Sequence, residues 1–463
     1  MYLYIKLKRR EQGAAISYWK PLRKATMVTM KRHLIGCVAI LMWTAANVLA
    51  IDTTHIMDGL SLANDLTGFI ESQDFSKTIT KLASAASSYL GILGPVLGFV
   101  FSFFDTGPSA ELLAIQKLYK DVTLRFDRVD HQFSDVKRQI NWASVELQYG
   151  EYESKIHAVG EKYKDLVLSS TKNDYTARKQ LFLDNFQQDF TNSAEKLYDG
   201  VMNEHRTFHK DLFDSAIENF KWDRKKTQSF MLGVSKLLMF GASIELAYYQ
   251  LKYPSQESYY RQQWQVKFEH FKSKLTSTDH KLETQFGGQL AKDVDQYIVN
   301  HAHSSNCDIT NPLYDVIAKK YYWRNWLVVV SDHSTDSEKY TVHTCGGIYG
   351  LQNNNHGKNV VVASVPQNKA HLTTSQKHAV LHTATYHTRH RHGGRSLLRT
   401  GRYVVRVHAN DAYNSMSSSV RTSCSTYGSV GIIDRNLYPC WRSPADHLFS
   451  RDDGHFFKIY AFG

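Results

Sequence analysis

The chain of 463 residues has a formal net charge of +12, a hydrophobic content of 42% and a mean hydropathy of −0.41. This length suits two or three domains of about 150 residues each, and the hydropathy excludes a polytopic membrane protein. The excess of positive charge favours an anionic partner such as phospholipid headgroups, glycans or nucleic acid, without choosing among them.

A hydrophobic segment near the N-terminus has the pattern of a secretory signal. Residues 31–50 join a basic flank to an apolar core and end in small residues, with Val48 and Ala50 at positions that suit cleavage. We therefore predict that residues 1–50 are an N-terminal extension and signal peptide, that the mature chain starts near Ile51 and that the protein is secreted. A signal anchor is the alternative.

An uncharged run of 23 residues lies between Lys81 and Asp105. It is long enough to cross a bilayer, for which about 20 apolar residues suffice. A permanent span after a cleaved signal would leave all later cysteines in the cytoplasm, so we expect the run to be buried first and to enter a membrane later. The residues predicted to insert are Leu90, Ile92, Leu93, Val96, Leu97, Phe99, Val100, Phe101, Phe103 and Phe104.

The stretch between Pro108 and Pro254 contains no other proline and few glycines. Since proline costs a helix interior about 3 kcal/mol, this composition favours long helices. Apolar residues recur from Ile115 to Leu147 at alternating spacings of four and three, which is typical of an amphipathic helix that packs along one seam.

Further helices are predicted near residues 151–170, 174–220, 227–252 and 257–300. Residues 229–249 are apolar nearly all round, as in a central helix, although Lys236 and Glu245 make this segment a poor membrane span. We predict that residues 51–302 form an α-helical bundle with this helix near its axis. The residues predicted to pack between helices are Gly91, Gly94, Gly98, Val122, Phe126, Val129, Phe133, Val136 and Ile140.

The last third of the chain changes character after Cys307. Short β-branched and aromatic segments alternate with turn-rich pieces and predict strands within residues 321–332, 359–365, 402–410 and 455–463. We predict that residues 303–463 form a β-rich sandwich or barrel. Because helices come first and strands second, the predicted fold class is α+β with two separate domains.

Four cysteines follow the predicted signal, and all lie in this last third. Export to an oxidising compartment would allow up to two disulfides, with three alternative pairings. The predicted disulfide residues are Cys307, Cys345, Cys424 and Cys440.

Residues 377–395 are rich in histidine and arginine. His378 and His382 have the spacing of two metal ligands on a helix, but the run contains no carboxylate and does not match H-E-x-x-H, so we predict no metal site. A solvated basic loop or edge strand is the simplest interpretation. The functional alternative is a patch for anionic glycans or headgroups that gains charge below about pH 6.5. Its predicted contacts are His387, Arg389, His390, Arg391, His392 and Arg395.

Signatures of serine hydrolases, phosphate-binding loops and dinucleotide-binding folds do not occur in the sequence. We therefore predict a protein that is not an enzyme and needs no cofactor. We also predict no nucleic-acid partner, because an exported chain with disulfides rarely meets one.

Residues 91–133, GILGPVLGFVFSFFDTGPSAELLAIQKLYKDVTLRFDRVDHQF, resemble the jellyfish (cnidarian) pore-forming toxin family. The apolar run, its FSFFDTG end, the amphipathic helix after it and the order of signal, helical half and β-rich half carry the resemblance, which covers residues 51–300. The resemblance implies a secreted nematocyst cytolysin that oligomerises and permeabilises membranes. It also implies a helical domain similar to the pore-forming domain of insecticidal crystal toxins.

The leading prediction is therefore a secreted pore-forming toxin. Its β-rich domain would bind target-cell lipids and a surface glycan or protein receptor, and the chain would then assemble into a homo-oligomer and insert apolar helices. The alternative is a secreted, non-lytic binding or structural protein with a lectin-like β domain on a helical oligomerisation stalk. A metal-dependent hydrolase that uses the histidine run is the third hypothesis.

Overall fold

The structure is a computed structural model that describes residue 75 and residues 146–190, 192–203, 211–344, 350–353, 356–381, 387–391, 402–406, 408–416, 427–452 and 456–463. Several predictions fall outside these residues. They concern the signal segment, every residue predicted to insert, every residue predicted to pack between helices, and His392, Arg395, Cys345 and Cys424.

The described helices of the middle region are α1 (Glu146–Val167), α2 (Lys172–Asn185), α3 (Ser193–Met202), α4 (Leu212–Asn219), α5 (Arg224–Lys252), α6 (Pro254–Thr284), α7 (Gly287–His301) and α8 (Asn306–Lys320). Side chains cap several of them, as where Asp211 accepts hydrogen bonds from the backbone N–H groups of Phe213 and Asp214. Such caps satisfy amides that have no partner within the helix.

Two of the predicted helices are broken into shorter ones. The segment predicted as one helix over 174–220 divides where Asn192 and Asn203 adopt positive φ angles of 62° and 59°. Asparagine tolerates this left-handed conformation, which cannot continue a right-handed helix. The segment predicted over 257–300 divides before Gly287, where α7 begins.

Helix α5 confirms the prediction of a core helix over 229–249. Between Phe230 and Tyr248 every residue is buried except Lys236 and Phe240. The packing is tight, because a Cβ atom added at Gly241 would lie 2.6 Å from Cβ of Ala194 on α3.

The described chain forms two compact units. One contains Tyr149–Tyr198 and Ser235–Lys272, and the other contains Ser273–Gly463 together with described residues of Asp199–Val234. The borders fall within α1, α3, α5 and α6, so each of these helices contributes residues to both units, and residues 146–148 of α1 belong to the second unit.

The C-terminal strands are β1 (Arg324–Asp332), β2 (Tyr340–Thr344), β3 (Gly350–Asn353), β4 (Lys358–Pro366), β5 (His387–Arg391), β6 (Arg402–Arg406), β7 (Ser429–Asp434), β8 (Cys440–Arg442), β9 (Leu448–Asp452) and β10 (Phe457–Phe462). They form antiparallel sheets in the orders β3-β4-β1-β8, β2-β7-β10-β9 and β5-β6. The strands β1, β6 and β10 lie within three of the predicted segments, and β4 extends the predicted segment 359–365 by one residue at each end. The predicted 402–410 strand ends at Arg406, and α10 (Ala409–Ser415) follows.

The two larger sheets form a sandwich that is covered by helices on both outer faces. Val328 and Val330 of β1 face a core with α7 and α8, whereas Leu327 and Val329 face the second sheet. Buried residues of β7 and β10 pack on α9 (Thr374–Leu381) and α10. Strands buried on both faces are apolar at successive positions, which explains the unbroken run in β1.

The predicted α+β fold class, helical first and β-rich second, is confirmed. Residues 149–320 are helical in their described parts, and antiparallel sheets follow. The predicted boundary at 302/303 passes between α7 and α8, which share one core with the first sheet. The division into residues 51–302 and 303–463 remains a prediction.

A disulfide joins Cys307 at the start of α8 to Cys440 in the edge strand β8. The two cysteines are separated by 133 positions in the chain. With this bridge formed, Cys345 and Cys424 are the one pair left for the second predicted disulfide.

Candidate functional site: a buried carboxyl in an apolar helix

Helix α5 is the one helix of the described residues that is long and apolar enough to cross a membrane. It has 29 residues, and 89% of its most apolar 18-residue stretch is buried. Length and composition alone do not distinguish a membrane span from the core helix of a water-soluble protein. The burial establishes that α5 is a core helix in the structure described.

Glu245 places a carboxyl group inside this apolar helix. The residue is 4% exposed, and its Oε2 accepts a hydrogen bond of 3.2 Å from Nε1 of Trp264 on α6. Trp264 is itself 1% exposed, so the hydrogen bond lies in the core. Because buried carboxylates are costly without compensation, this contact is the first candidate for function rather than stability.

The cation that lowers the pKa of Glu245 is already paired with a different carboxylate. Lys267 on α6 forms an ion pair with Glu195 on α3, and its Nζ lies 4.9 Å from the ring centroid of Trp264. Burial first, and then the negative charge of Glu195, raise the pKa of Glu245 to about 7 against the smaller lowering effects of Lys267 and the Trp264 hydrogen bond. Glu245 can therefore exchange a proton near neutral pH.

Glu245, Trp264, Lys267 and Glu195 form the Glu245 cluster, and two tyrosines extend it towards the end of α5. The rings of Tyr249 and Tyr260 stack with centroids 3.5 Å apart and an interplanar angle of 12°. Burial, the hydrogen bond with Tyr260 and the negative charge of Glu245 all raise the pKa of Tyr249. Tyr249 therefore stays neutral when Glu245 ionises and offers it no positive charge.

A second buried carboxyl group, that of Glu257, lies on α6. Glu257 is 5% exposed, and burial raises its pKa, while Arg261 acts in the opposite direction at 3.7 Å from Oε1. Two carboxyl groups with raised pKa thus lie on the consecutive helices α5 and α6.

The basic segment predicted to contact anionic surfaces forms part of a separate two-stranded sheet. His387, Arg389 and Arg391 occupy alternate positions of β5, and their register partners on β6 are Arg406, Val404 and Arg402. The sequence did not single out Arg402 and Arg406, because the pairing depends on a strand that begins eleven residues after β5 ends. His390, in the same strand, pairs with Tyr403.

The remaining predicted sites have different outcomes. Within the described residues, no group of three or more His, Cys, Asp and Glu is arranged to hold a metal ion. His378 lies in α9, and His382 falls outside the described residues.

One comparison with known proteins gives a match. Residues 105–304 match the family model of the Cephalotoxin-like middle helical domain, and this match supports the resemblance to cnidarian toxins that the sequence indicates. No curated protein and no solved structure matches the chain. The matched range includes α1 to α7, and therefore all of α5 and the Glu245 cluster.

Proposed function

We propose that the protein is a secreted pore-forming toxin that acts on cell membranes without enzymatic activity. The observation that carries the proposal is an apolar helix of membrane-spanning length, α5, buried within the region that matches a toxin-family domain. A water-soluble protein that enters membranes must hide such a helix until it meets lipid. The burial of α5 provides that arrangement.

The apolar run at residues 82–104 is the first segment that we propose to insert, and α5 is the second. Transfer of apolar surface out of water contributes about 25 cal/mol per Å², so either segment could contribute substantially once its protein contacts are lost. A charged side chain at the bilayer centre costs about 2.5–3.5 kcal/mol. Lys236 and Glu245 therefore oppose insertion of α5 when both are charged, which favours the run at 82–104 as the leading element.

The β5–β6 sheet is the proposed contact with the target membrane. Its register places His387 opposite Arg406 and Arg391 opposite Arg402, with Arg389 between them on β5. A concentration of basic residues is attracted to anionic headgroups at about 1 kcal/mol per residue near the surface. Binding through this sheet would raise the local concentration of the toxin and so favour a homo-oligomer.

The test is dye release from liposomes by the mature chain, residues 51–463. We expect release from vesicles that contain anionic lipid, and we expect Leu97→Asp combined with Val100→Asp to abolish release while binding to vesicles persists. A mature chain that binds vesicles but releases no dye over about pH 5 to 8 would contradict pore formation. A matched control replaces two exposed apolar residues outside the proposed segments, Val299→Asp and Val316→Asp, which should leave release unchanged.

The second candidate function is non-lytic binding by the C-terminal region. The observation in its favour is a helix-covered β-sandwich that carries a basic sheet of its own. This function predicts binding to acidic glycans with no dye release, so the same liposome measurement separates the two candidates.

A further inference from the structure

We infer that the Glu245 carboxyl is a proton-controlled latch on α5, which holds the helix packed when it is protonated and weakens that packing when it is ionised. The latch acts within the compact unit that contains Tyr149–Tyr198 and Ser235–Lys272. It concerns the opening of α5, and only its consequence for membranes rests on the proposed function.

The geometry around Glu245 suits a neutral carboxyl better than an ionised one. The side chain is 4% exposed and lies in a helix whose neighbouring positions are apolar and buried. Within the described part of the chain, the indole of Trp264 supplies its hydrogen bond, at 3.2 Å. An ionised carboxylate can accept about four hydrogen bonds, so a single neutral donor leaves it poorly solvated.

Charged groups on the neighbouring helices do not compensate an ionised Glu245. On α6, Lys267 is paired with Glu195 of α3, so this cation is already shared. Glu195 adds a second negative charge near Glu245. On α5 itself, Tyr249 is stacked on Tyr260 and remains neutral.

Two further titratable residues lie on segments that pack against α5. His157 on α1 has its ring centroid 6.5 Å from that of Phe240, which precedes Glu245 by slightly more than one turn. Asp189 is exposed in the π-helical turn Phe186–Phe190, whose Phe186 stacks on Tyr248 at 3.9 Å. Neither residue is among the charges that act on Glu245.

The direction of the pH effect depends on which state binds the proton more tightly. In the packed state the pKa of Glu245 is about 7, whereas an opened α5 would expose the carboxyl to water and return it towards 4.5. The packed state thus binds the proton more tightly. The stabilisation that this proton gives is complete below about pH 4.5 and is lost as the pH rises through about 7. The equilibrium constant for the opening of α5 should increase by up to about tenfold per pH unit between these two pKa values and then level off.

Membrane activity should have the same profile if the proposed function holds and the run at 82–104 inserts first, because an ionised Glu245 favours opening of α5 although it opposes insertion of α5 itself. A toxin with this latch is restrained in mild acid and released at neutral and alkaline pH. This profile is opposite to that of the basic segment at 377–395, whose histidines would strengthen anionic binding in acid. The two profiles can be separated, because the histidines affect binding to vesicles, whereas Glu245 affects the opening of α5 after the protein has bound.

The experiment is amide hydrogen exchange of the mature chain, followed by mass spectrometry of peptides from residues 235–252, with correction for the intrinsic pH dependence of exchange. We expect the opening of these peptides in the wild type to increase from about pH 5 to pH 7. Glu245→Gln, which mimics the protonated form, should show a flat profile at the low-pH level. Glu269→Gln removes an exposed carboxylate from α6 and should reproduce the wild-type profile.

A third variant should shift the midpoint of the pH profile without abolishing the pH dependence. Trp264→Phe removes the N–H group that favours the ionised form, so its midpoint should move to higher pH even if its overall protection is lower. A flat wild-type profile, or a Glu245→Gln profile that keeps the wild-type slope, overturns the latch. If Glu245→Gln does not fold, the wild-type profile and the Trp264→Phe midpoint decide.

Dye release measured over the same pH range separates the latch from the proposed function. A rise in release with pH in the wild type and its loss in Glu245→Gln would support both. A pH-dependent exchange profile with no release at any pH would refute pore formation and leave the latch standing. Release with a flat exchange profile would refute the latch and leave pore formation standing.

Discussion

Two buried carboxyl groups have very different surroundings: Asp279 of α6 lies beside the N-terminal end of α5, and Glu245 lies within the C-terminal half of α5. Near its N-terminus, Arg224 donates two hydrogen bonds to Asp279, at 2.9 and 2.7 Å, and Gln228 donates a third at 2.8 Å. In its C-terminal half, Glu245 receives one hydrogen bond from the neutral indole of Trp264.

This difference determines which carboxylate can respond to pH. Burial alone would lower the pKa of Arg224, but the hydrogen bonds and the charge of Asp279 raise it above the ordinary value. Arg224 therefore remains charged over the whole physiological range and stabilises its unit through the hydrogen bonds to Asp279. Glu245 lacks such a partner among the described residues, so its charge costs stability at neutral pH. Asp279, which is paired with a cation, stabilises the fold. Glu245, which is not, is available for regulation by pH.

The largest expected effect on stability comes from removing the Cys307–Cys440 disulfide, which lies in the unit that contains Asp279. Replacing Cys307 and Cys440 together by serine should lower the free energy of unfolding by about 3–5 kcal/mol, because the bridge closes a long loop. Denaturant unfolding of the double variant measures this loss. Peptide mapping without reduction should recover Cys307 joined to Cys440, and a different partner for either residue would contradict the structure.

The next effect breaks the compensated carboxylate itself. Asp279→Asn leaves the Arg224 guanidinium buried without its main counter-charge, and we expect a loss of about 3 kcal/mol in the free energy of unfolding. Glu151→Gln, in the exposed pair with Lys155, is the control and should have no measurable effect. An equally small effect of Asp279→Asn would show that Arg224 is compensated elsewhere, with Glu283 at 3.6 Å as the first candidate.

A smaller effect tests how tightly α5 is held in the unit that contains Glu245. Gly241→Ala would place a Cβ atom 2.6 Å from Cβ of Ala194, and we expect a destabilisation of about 1–3 kcal/mol despite the better helix propensity of alanine. Gly288→Ala on α7, where an added Cβ atom meets nothing within 4 Å, is the control and should be neutral or stabilising. Equal thermal stability of the two variants would contradict close packing of α5.

The smallest effect concerns the basic sheet. Arg389→Ala and Arg391→Ala should each weaken binding to anionic vesicles by about 1 kcal/mol and reduce its dependence on salt. Co-sedimentation with vesicles at several salt concentrations measures both. Stability should be unchanged. Binding that does not respond to either substitution or to salt would remove the β5–β6 sheet from the proposed interface.

Local patterns in the sequence predicted much of the architecture. The apolar positions of 229–249 predicted a core helix, and the β-branched runs predicted strands that match β1, β4 and β10. Local patterns failed where the backbone turns without glycine or proline, as at Asn192 and Asn203. The predicted domain boundary between α7 and α8 stays a prediction, because a helix that packs on a sheet has the same periodicity as one that packs in a bundle.

The Glu245 cluster could not be predicted from the sequence. There Glu245 appears as one charge that interrupts an apolar segment, and nothing local shows whether it faces water or the core. Its burial depends on Trp264, Lys267 and Glu195, which three-dimensional packing brings together from two other helices. The predicted inserting residues at 90–104 and the packing seam lie outside the described residues and remain predictions.

The most direct test of the account is photolabelling of the mature chain on liposomes with a carbene-generating probe dissolved in the hydrocarbon. The account predicts labelled peptides from residues 82–104 and from Phe230–Tyr248 of α5, with little label in β1 and β4 of the sandwich. A vesicle-bound protein in which neither of these two segments is labelled would contradict the claim that the buried apolar helices enter the membrane.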